Sequence, residues 1–369
     1  MKNFAKLIFA SGENSPDMRY AAGFSTPDEF FYYSAGNRSG IICSPLEFNR
    51  AQQQAHPHLE IHLESEFNGP ARVDILQALS GELRVSGFLV PPDFPLGLAD
   101  KLRAAGITAK TTEAAFFPER EFKTGAEVEK IIRSQRAAEA GCRRAFEVLQ
   151  EAEISKDRML YWNGNPLTSE LLRAEIDVAM LRLGMLPTGT ICAGGIQGSQ
   201  PHNTGSGHLP ADMPIVMDIF PRSAETGYWG DLTRTVVKGK ASDLVKRAYD
   251  TVLLARESCK SAICAGANPA ELHQLAVSIM EKAYFHTGHG EKGDFGFFHG
   301  LGHGVGLDIH ESPRLSPRNP DVLKGGEVVT VEPGLYYPEW GGIRLEDLVY
   351  VTGDGCRCLT EIEDFLEIR

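Results

Sequence analysis

Four acidic residues interrupt runs that otherwise read as buried strands. Asp218 sits in IVMDIF, Asp231 in YWGDLTRTVV, Glu332 in VVTVEPG and Glu346 in GIRLEDLVYV. Strands disfavour Asp and Glu, so each acid has to be accounted for. The four form two pairs of like spacing, thirteen residues between the aspartates and fourteen between the glutamates. A Gly/Pro-containing loop lies inside each pair, as a hairpin requires. Each hairpin then places its two carboxylates on neighbouring strands, roughly 5–8 Å apart. Four carboxylates converging in a core repel one another unless something neutralises them. Metal ions do this, and oxygen donors with one or two imidazoles suit Mn, Co, Zn or Fe better than thiolate-loving sites. Two such ions about 3.5–4 Å apart can activate water and polarise a carbonyl, which is hydrolase chemistry. The competing reading makes each acid an exposed edge-strand residue. It suits any one of them better than all four placed in the same way.

The rest of the chain repeats around these pairs. A long helix begins at Thr124, which with Glu127 forms a capping-box pattern. Its apolar stripe is Val128, Ile131, Ile132, Ala138, Cys142, Ala145 and Leu149. A second helix covers 168–184 and stops at Gly184. Strands follow at 214–220 and 230–237. A helix over 241–266 and another, opened by Asn268 and Pro269 and running to about residue 285, repeat the order. Strands at 327–333 and 342–351 close it. Two passes of helix, helix, hairpin predict two related halves facing each other. Before them, strands at 6–11, 29–35, 39–44 and 86–90 and a helix at 99–107 read as a mixed α/β domain. The charged, Pro-interrupted segment 116–125 reads as a linker. The expected domains are 1–120 and 121–369.

Composition narrows the partners. A net charge of −12 argues against nucleic acid and anionic membranes, which need a basic surface. No stretch of 18 apolar residues predicts a membrane span, and the N-terminus reads as a first strand. Seven scattered cysteines without paired CxxC motifs predict reduced thiols in a cytoplasmic protein. The His- and Gly-rich stretch FHGLGHGVGLDIHE (298–311) lacks the GK[ST] ending of a phosphate loop, and HEXXH is absent. Its glycines let backbone approach a metal or substrate closely. His299 and His303 share a parity that His310 does not, so a bend is needed to bring all three together. His202, in the QPHNTGSG loop, is a candidate for positioning substrate. His273, His286 and His289 read as surface residues.

FHGLGHGVGLDIHE, VVTVEPGLYYP and GGIRLEDLVYVT resemble the signatures of the pita-bread metallopeptidases: aminopeptidase P, prolidase, methionine aminopeptidase and creatinase. SPDMRYAAGF (15–24) resembles the opening of the N-terminal domain of the aminopeptidase P and prolidase branch. The resemblance implies an α+β architecture, a pita-bread catalytic domain with pseudo-two-fold halves behind a smaller creatinase-like α/β domain. It implies two divalent ions, manganese foremost, held by Asp218, Asp231, His303, Glu332 and Glu346. Asp231 and Glu346 would bridge, and Glu332 would also serve as general base and acid. His310 would stabilise the tetrahedral intermediate, while His202, His299 and Arg344 would meet substrate or orient a carboxylate. The implied activity is Xaa-Pro aminopeptidase acting on small peptides, with Xaa-Pro dipeptidase (prolidase) as the alternative and a non-catalytic binding protein as a distant third. The family suggests a homodimer. The chain departs from the family where Asp-x-Gly usually follows the first ligand. Phe220 stands in place of that glycine, and two extra residues precede Asp231.

Overall fold

The computed structural model describes residues 3–67, 69, 71–112 and 114–369. Contacts divide the chain into two compact units, Met1–Arg120 and Glu121–Arg369. The first is a six-stranded sheet in the order Glu60–Leu63, Arg38–Cys43, Glu29–Ala35, Phe4–Ser11, Gly87–Val90, Thr108–Thr111. Residues on the Phe4–Ser11 strand alternate between two apolar clusters, Leu7 and Phe9 in one and Ile8 in the other. That is the pattern of a sheet covered on both faces. Helix Pro16–Ala22 opens with Ser15 accepting from the Met18 amide at 3.2 Å and closes on Gly23 at φ +63°. The start of segment 116–125 is not an exposed linker. Phe116 and Phe117 are buried in the second of these clusters, because paired aromatics contribute more burial than the adjacent charges cost.

In the second unit, helix Gly125–Glu151 has its capping box at Thr124 and Glu127. It packs closely on helix Ser169–Leu181 at Gly141, where an added Cβ would lie 3.0 Å from Ile176. A four-stranded sheet runs in the order Ile191–Gly194, Ile215–Ile219, Leu232–Lys238, Glu367–Ile368. Helices Asp243–Ala262 and Pro269–Lys282 come next. The first ends four residues before Gly266, because Ile263 turns extended and is buried. A five-stranded sheet follows in the order Glu311–Leu315, Gly302–Gly304, Val328–Val331, Asp347–Val351, Cys356–Cys358. Helix pair and sheet therefore occur twice. The two sheets meet along Leu232–Lys238. The Glu346 amide donates to the Thr233 carbonyl at 3.0 Å, the Arg344 amide to the Thr235 hydroxyl at 3.0 Å, and Arg234 to the Glu346 carbonyl at 2.7 Å.

The expected single strand over 342–351 is broken. Gly341–Arg344 pairs with Gly334–Tyr337, while Asp347–Val351 pairs with Val328–Val331. Leu345 and Glu346 form the break. Of the four acids, only Asp218 lies within a strand. Asp231, Glu332 and Glu346 each sit one residue beyond a strand end. Strand ends leave the ladder, so side chains there can converge from different directions without displacing a paired neighbour.

Candidate metal centre

Register brings the acids together within each half. Asp218 pairs with Thr233 across the ladder, which puts Asp231 diagonally across on the same face. Extending the Val331–Asp347 pairing by one residue sets Glu332 opposite Glu346. The junction between the sheets then joins the halves. One potential ligand atom each from Asp231, His303 and Glu346 lies within 4.8 Å of the others. His303 Nε2 is 3.3 Å from Glu332 Oε1 and 3.6 Å from Asp231 Oδ2.

Each side chain is held from behind. Asp231 is buried, and its amide donates to Gln135 Oε1 at 2.8 Å from the long helix. Gly230 permits that approach, since a Cβ there would fall 2.6 Å from the Gln135 nitrogen. Glu346 accepts from the Thr233 hydroxyl at 2.8 Å, and Arg344 Nε donates to the same hydroxyl at 3.1 Å. His303 donates from Nδ1 to the Gly304 carbonyl at 3.2 Å. That bond selects the tautomer whose Nε2 lone pair faces the carboxylates. The strand carrying His303 runs between glycines for a steric reason. A Cβ at Gly302 would lie 2.0 Å from the Thr330 carbonyl, and one at Gly304 would lie 2.2 Å from that of Ser312. The bend expected in this stretch is present as a register shift after His303. It brings His310 edge-on to His303, with ring centroids 4.4 Å apart.

The electrostatics fit a cation. Burial, followed by repulsion from Glu346 and Asp218, pushes Asp231 well above the usual carboxylate range. Burial, followed by Glu332 and Asp218, does the same to Glu346. Burial raises Glu332 to about 8. Desolvation holds His303 down at about 3, so it stays a neutral donor. Asp218 Oδ1 is buried with no hydrogen-bond partner. Four carboxylates and one neutral imidazole, with an orphaned acceptor among them, are the donor set that hard and borderline divalent ions take.

Around this cluster opens a cavity of about 1000 Å³. All nine residues expected at the site line it: His202, Asp218, Asp231, His299, His303, His310, Glu332, Arg344 and Glu346. His202 and His310 are exposed there. Two residues differ from expectation in how they face it. His299 has both ring nitrogens committed, Nδ1 to the Gly300 carbonyl at 2.7 Å and Nε2 to the Tyr336 hydroxyl at 3.0 Å. Only its ring is left to face the cavity. Arg344 is buried and spends its donors on Asp218 (2.6 Å), the Tyr336 hydroxyl (2.9 Å), Thr233 and the Pro201 carbonyl. The carboxylate it orients is that of Asp218. His273 is not a surface residue. It is half-buried with its ring 5.0 Å from that of Phe297. Sequence reasoning also missed Gln135, Thr233 and Arg314. Arg314, itself exposed, lines the cavity from the strand after the bend. Its guanidinium has no ion pair or side-chain hydrogen bond among the described residues. An Arg in a strand bordering a His-rich stretch was the available signal.

Two helix–sheet halves joined face to face around a ring of inward acids define a pita-bread metallohydrolase. The sequence matches metallopeptidase family M24 over residues 129–353. The chain belongs to that family, which implies divalent metal ions as cofactors. It is 37% identical over 175 residues to the Xaa-Pro dipeptidase of Pyrococcus furiosus, a match covering 47% of each chain. It is 26% identical over 354 residues to the Xaa-Pro dipeptidase of Pyrococcus horikoshii, covering 95% of this chain and 91% of that one. The higher-identity match thus spans about half the length of its relative. The crystal structure of the prolidase from Pyrococcus horikoshii OT3 superposes with a TM-score of 0.82 at 26% identity, over 99% of this chain and 95% of the other. No helix among the described residues is long and apolar enough to cross a membrane.

Proposed function

We propose that the protein is a metal-dependent Xaa-Pro dipeptidase, with Asp218, Asp231, His303, Glu332 and Glu346 holding two divalent ions, manganese foremost. The observation that carries this reading is the cluster of Asp231, His303 and Glu346 within 4.8 Å, in a cavity that Arg314 also lines. Divalent ions bound there would lower the pKa of water and polarise a carbonyl. The protein's own groups do the rest. Glu332, beside His303 at the cavity wall, takes the proton from the attacking water and returns it to the leaving nitrogen. His310 and His202, exposed in the cavity, donate to the oxygen on which charge develops and to the substrate backbone. Arg344, through Asp218 and Tyr336, fixes ligand geometry. Arg314 offers a guanidinium for the free carboxylate that every dipeptide carries.

Arg314 and the named relatives together favour a dipeptidase over an aminopeptidase. Xaa-Pro aminopeptidase is the second reading, favoured by one observation. A cavity of about 1000 Å³ lies at the upper end for small-ligand sites and exceeds what a dipeptide fills. Protein stripped of metal and reconstituted with Mn, Co or Zn is assayed on Gly-Pro-type dipeptides and on Xaa-Pro tripeptides. Cleavage confined to dipeptides supports the first reading, and cleavage of both supports the second. No bound metal and no hydrolysis with any of the three ions removes the enzyme reading.

A further inference from the structure

The amide of Asp231 and that of Leu348, two residues beyond Glu346, are joined through two side chains that belong to neither sheet. Gln135 is fully buried in helix Gly125–Glu151. Its Oε1 accepts from the Asp231 amide at 2.8 Å, and its Nε2 donates to the Thr360 hydroxyl at 3.0 Å. A backbone N–H can only donate, so the carboxamide must turn its oxygen to Asp231 and its nitrogen to Thr360. The Thr360 hydroxyl also accepts from the Leu348 amide at 2.9 Å, which fills both its lone pairs. Thr360 is itself fixed by its neighbours on either side. The Leu359 carbonyl accepts from Arg136 at 3.0 Å, and the Glu361 amide donates to Glu139 Oε1 at 2.7 Å. Both partners lie on the helix that carries Gln135.

These bonds close a circuit. From Asp231 the chain runs to Thr233, whose carbonyl accepts from the Glu346 amide at 3.0 Å. From Glu346 it runs to Leu348, and from there through Thr360 and Gln135 back to Asp231. The circuit thus passes through one acid of each half. Asp231 and Glu346 bring ligand atoms within 4.8 Å of each other and of His303, and two carboxylates that close push apart unless something neutralises them. With the Thr233 bond alone the circuit is open, and its far side can spread. A site of this kind needs its groups held to about 0.5 Å. We infer that Thr360 is a positioning residue of the metal centre: its hydroxyl closes the circuit that fixes the spacing of Asp231 and Glu346, and binding of the second ion depends on that spacing. The inference rests on the proposed two-ion centre and names a support for it outside both pairs of acids.

The test follows manganese binding to the full, metal-stripped chain by titration calorimetry and by low-temperature EPR, in which a coupled pair of ions and a lone ion give different spectra. Thr360→Val keeps the side chain's shape and removes the hydroxyl. Its affinity for the second ion falls about tenfold, and at equal manganese its spectrum moves from the coupled pair towards the lone ion. Thr360→Ser restores the hydroxyl and returns the affinity to within about threefold of the parent. Thr360→Ala, which removes the hydroxyl and puts nothing in its place, carries the same test if the valine variant does not fold. Gln135→Met opens the circuit at a neighbouring bond, so its loss and that of Thr360→Val do not add in the double variant. Two ions bound by Thr360→Val or Thr360→Ala as tightly as by the parent overturn the inference. So does a Thr360→Ser variant as weak as Thr360→Val, and so do losses that add in full. Parent protein that binds fewer than two ions overturns the centre on which the inference stands, a result distinct from two ions bound alike by parent and variant.

Discussion

Removing the Arg314 guanidinium, as in Arg314→Met, tests whether the enzyme reads a free carboxylate. Methionine keeps most of the apolar stem and deletes the charge. A guanidinium and a carboxylate about 4 Å apart attract by about 1 kcal/mol in bulk water and about 4 kcal/mol at the effective dielectric near a protein surface. Arg314 is exposed but lines a concave site, so the interaction falls between these limits, at about 2–3 kcal/mol. That corresponds to a loss of about 30- to 150-fold in kcat/KM for Ala-Pro. The assay compares Ala-Pro with Ala-Pro-amide in both proteins at two salt concentrations. The parent should prefer the free acid, and the variant should lose that preference. Its remaining rate should also respond less to salt, since one screened attraction has gone. A loss of equal size on the acid and the amide would refute the reasoning, because Arg314 would then be serving the fold or the chemistry and not the carboxylate.

Metal should act as a folding ligand. An ion at a hundred times its Kd adds about 2.7 kcal/mol, or about 5–10 °C in Tm for a unit of this size, and a chelator-sensitive calorimetric trace checks it. Thr233→Val deletes the hydroxyl that orients Glu346 and Arg344. Metal affinity should fall about 10- to 100-fold by titration calorimetry, and an unchanged affinity would remove Thr233 from the centre's support. Glu327 is a buried carboxyl whose burial, with Glu121 beside it, raises its pKa to about 7. Its folded value lies above its unfolded one, so the folded chain binds the extra proton and stability falls as pH rises from about 4.5 to 7. Glu327→Gln should therefore stabilise by about 2–3 kcal/mol at pH 8 and by little at pH 4.5. Equal melting shifts at the two values would contradict that sign. Gly141→Val should destabilise by about 1–3 kcal/mol through overpacking against Ile176, read as a lowered denaturation midpoint at constant m.

How much of this was legible in the sequence depended on the kind of signal. Caps were legible because they are local: Thr124 and Asn268 each accept from an amide in the first turn of the helix that follows. The acids were legible because a charge in an apolar run is costly without a partner. The repeat was legible as an order of elements. The break at Leu345–Glu346 was not, since GIRLEDLVYV alternates like one strand, and only the choice of different ladder partners on its two sides divides it. His273 was misjudged because helix position does not say which neighbouring loop covers the ring, and here Phe297 does. Gln135 and Arg314 were missed for a related reason. One acts from a helix almost a hundred residues before its partner amide, and the guanidinium of the other has no ion pair or side-chain hydrogen bond among the described residues. Gln135 leaves no mark on its own neighbourhood in sequence, and Arg314 leaves only its place beside the His-rich stretch.

The junction between the halves has a consequence for motion. Thr233 holds Glu346 twice, through its carbonyl to the Glu346 amide and through its hydroxyl to the carboxylate. With Glu346 holding metal as proposed, any parting of the two sheets along this line would pull that ligand off its seat, so breathing and loss of metal would be one event. The amide hydrogen of Glu346 is a resident gauge of that event. Its exchange with deuterated water should slow when ions are added and quicken on chelation, in step with the rate at which the ions depart.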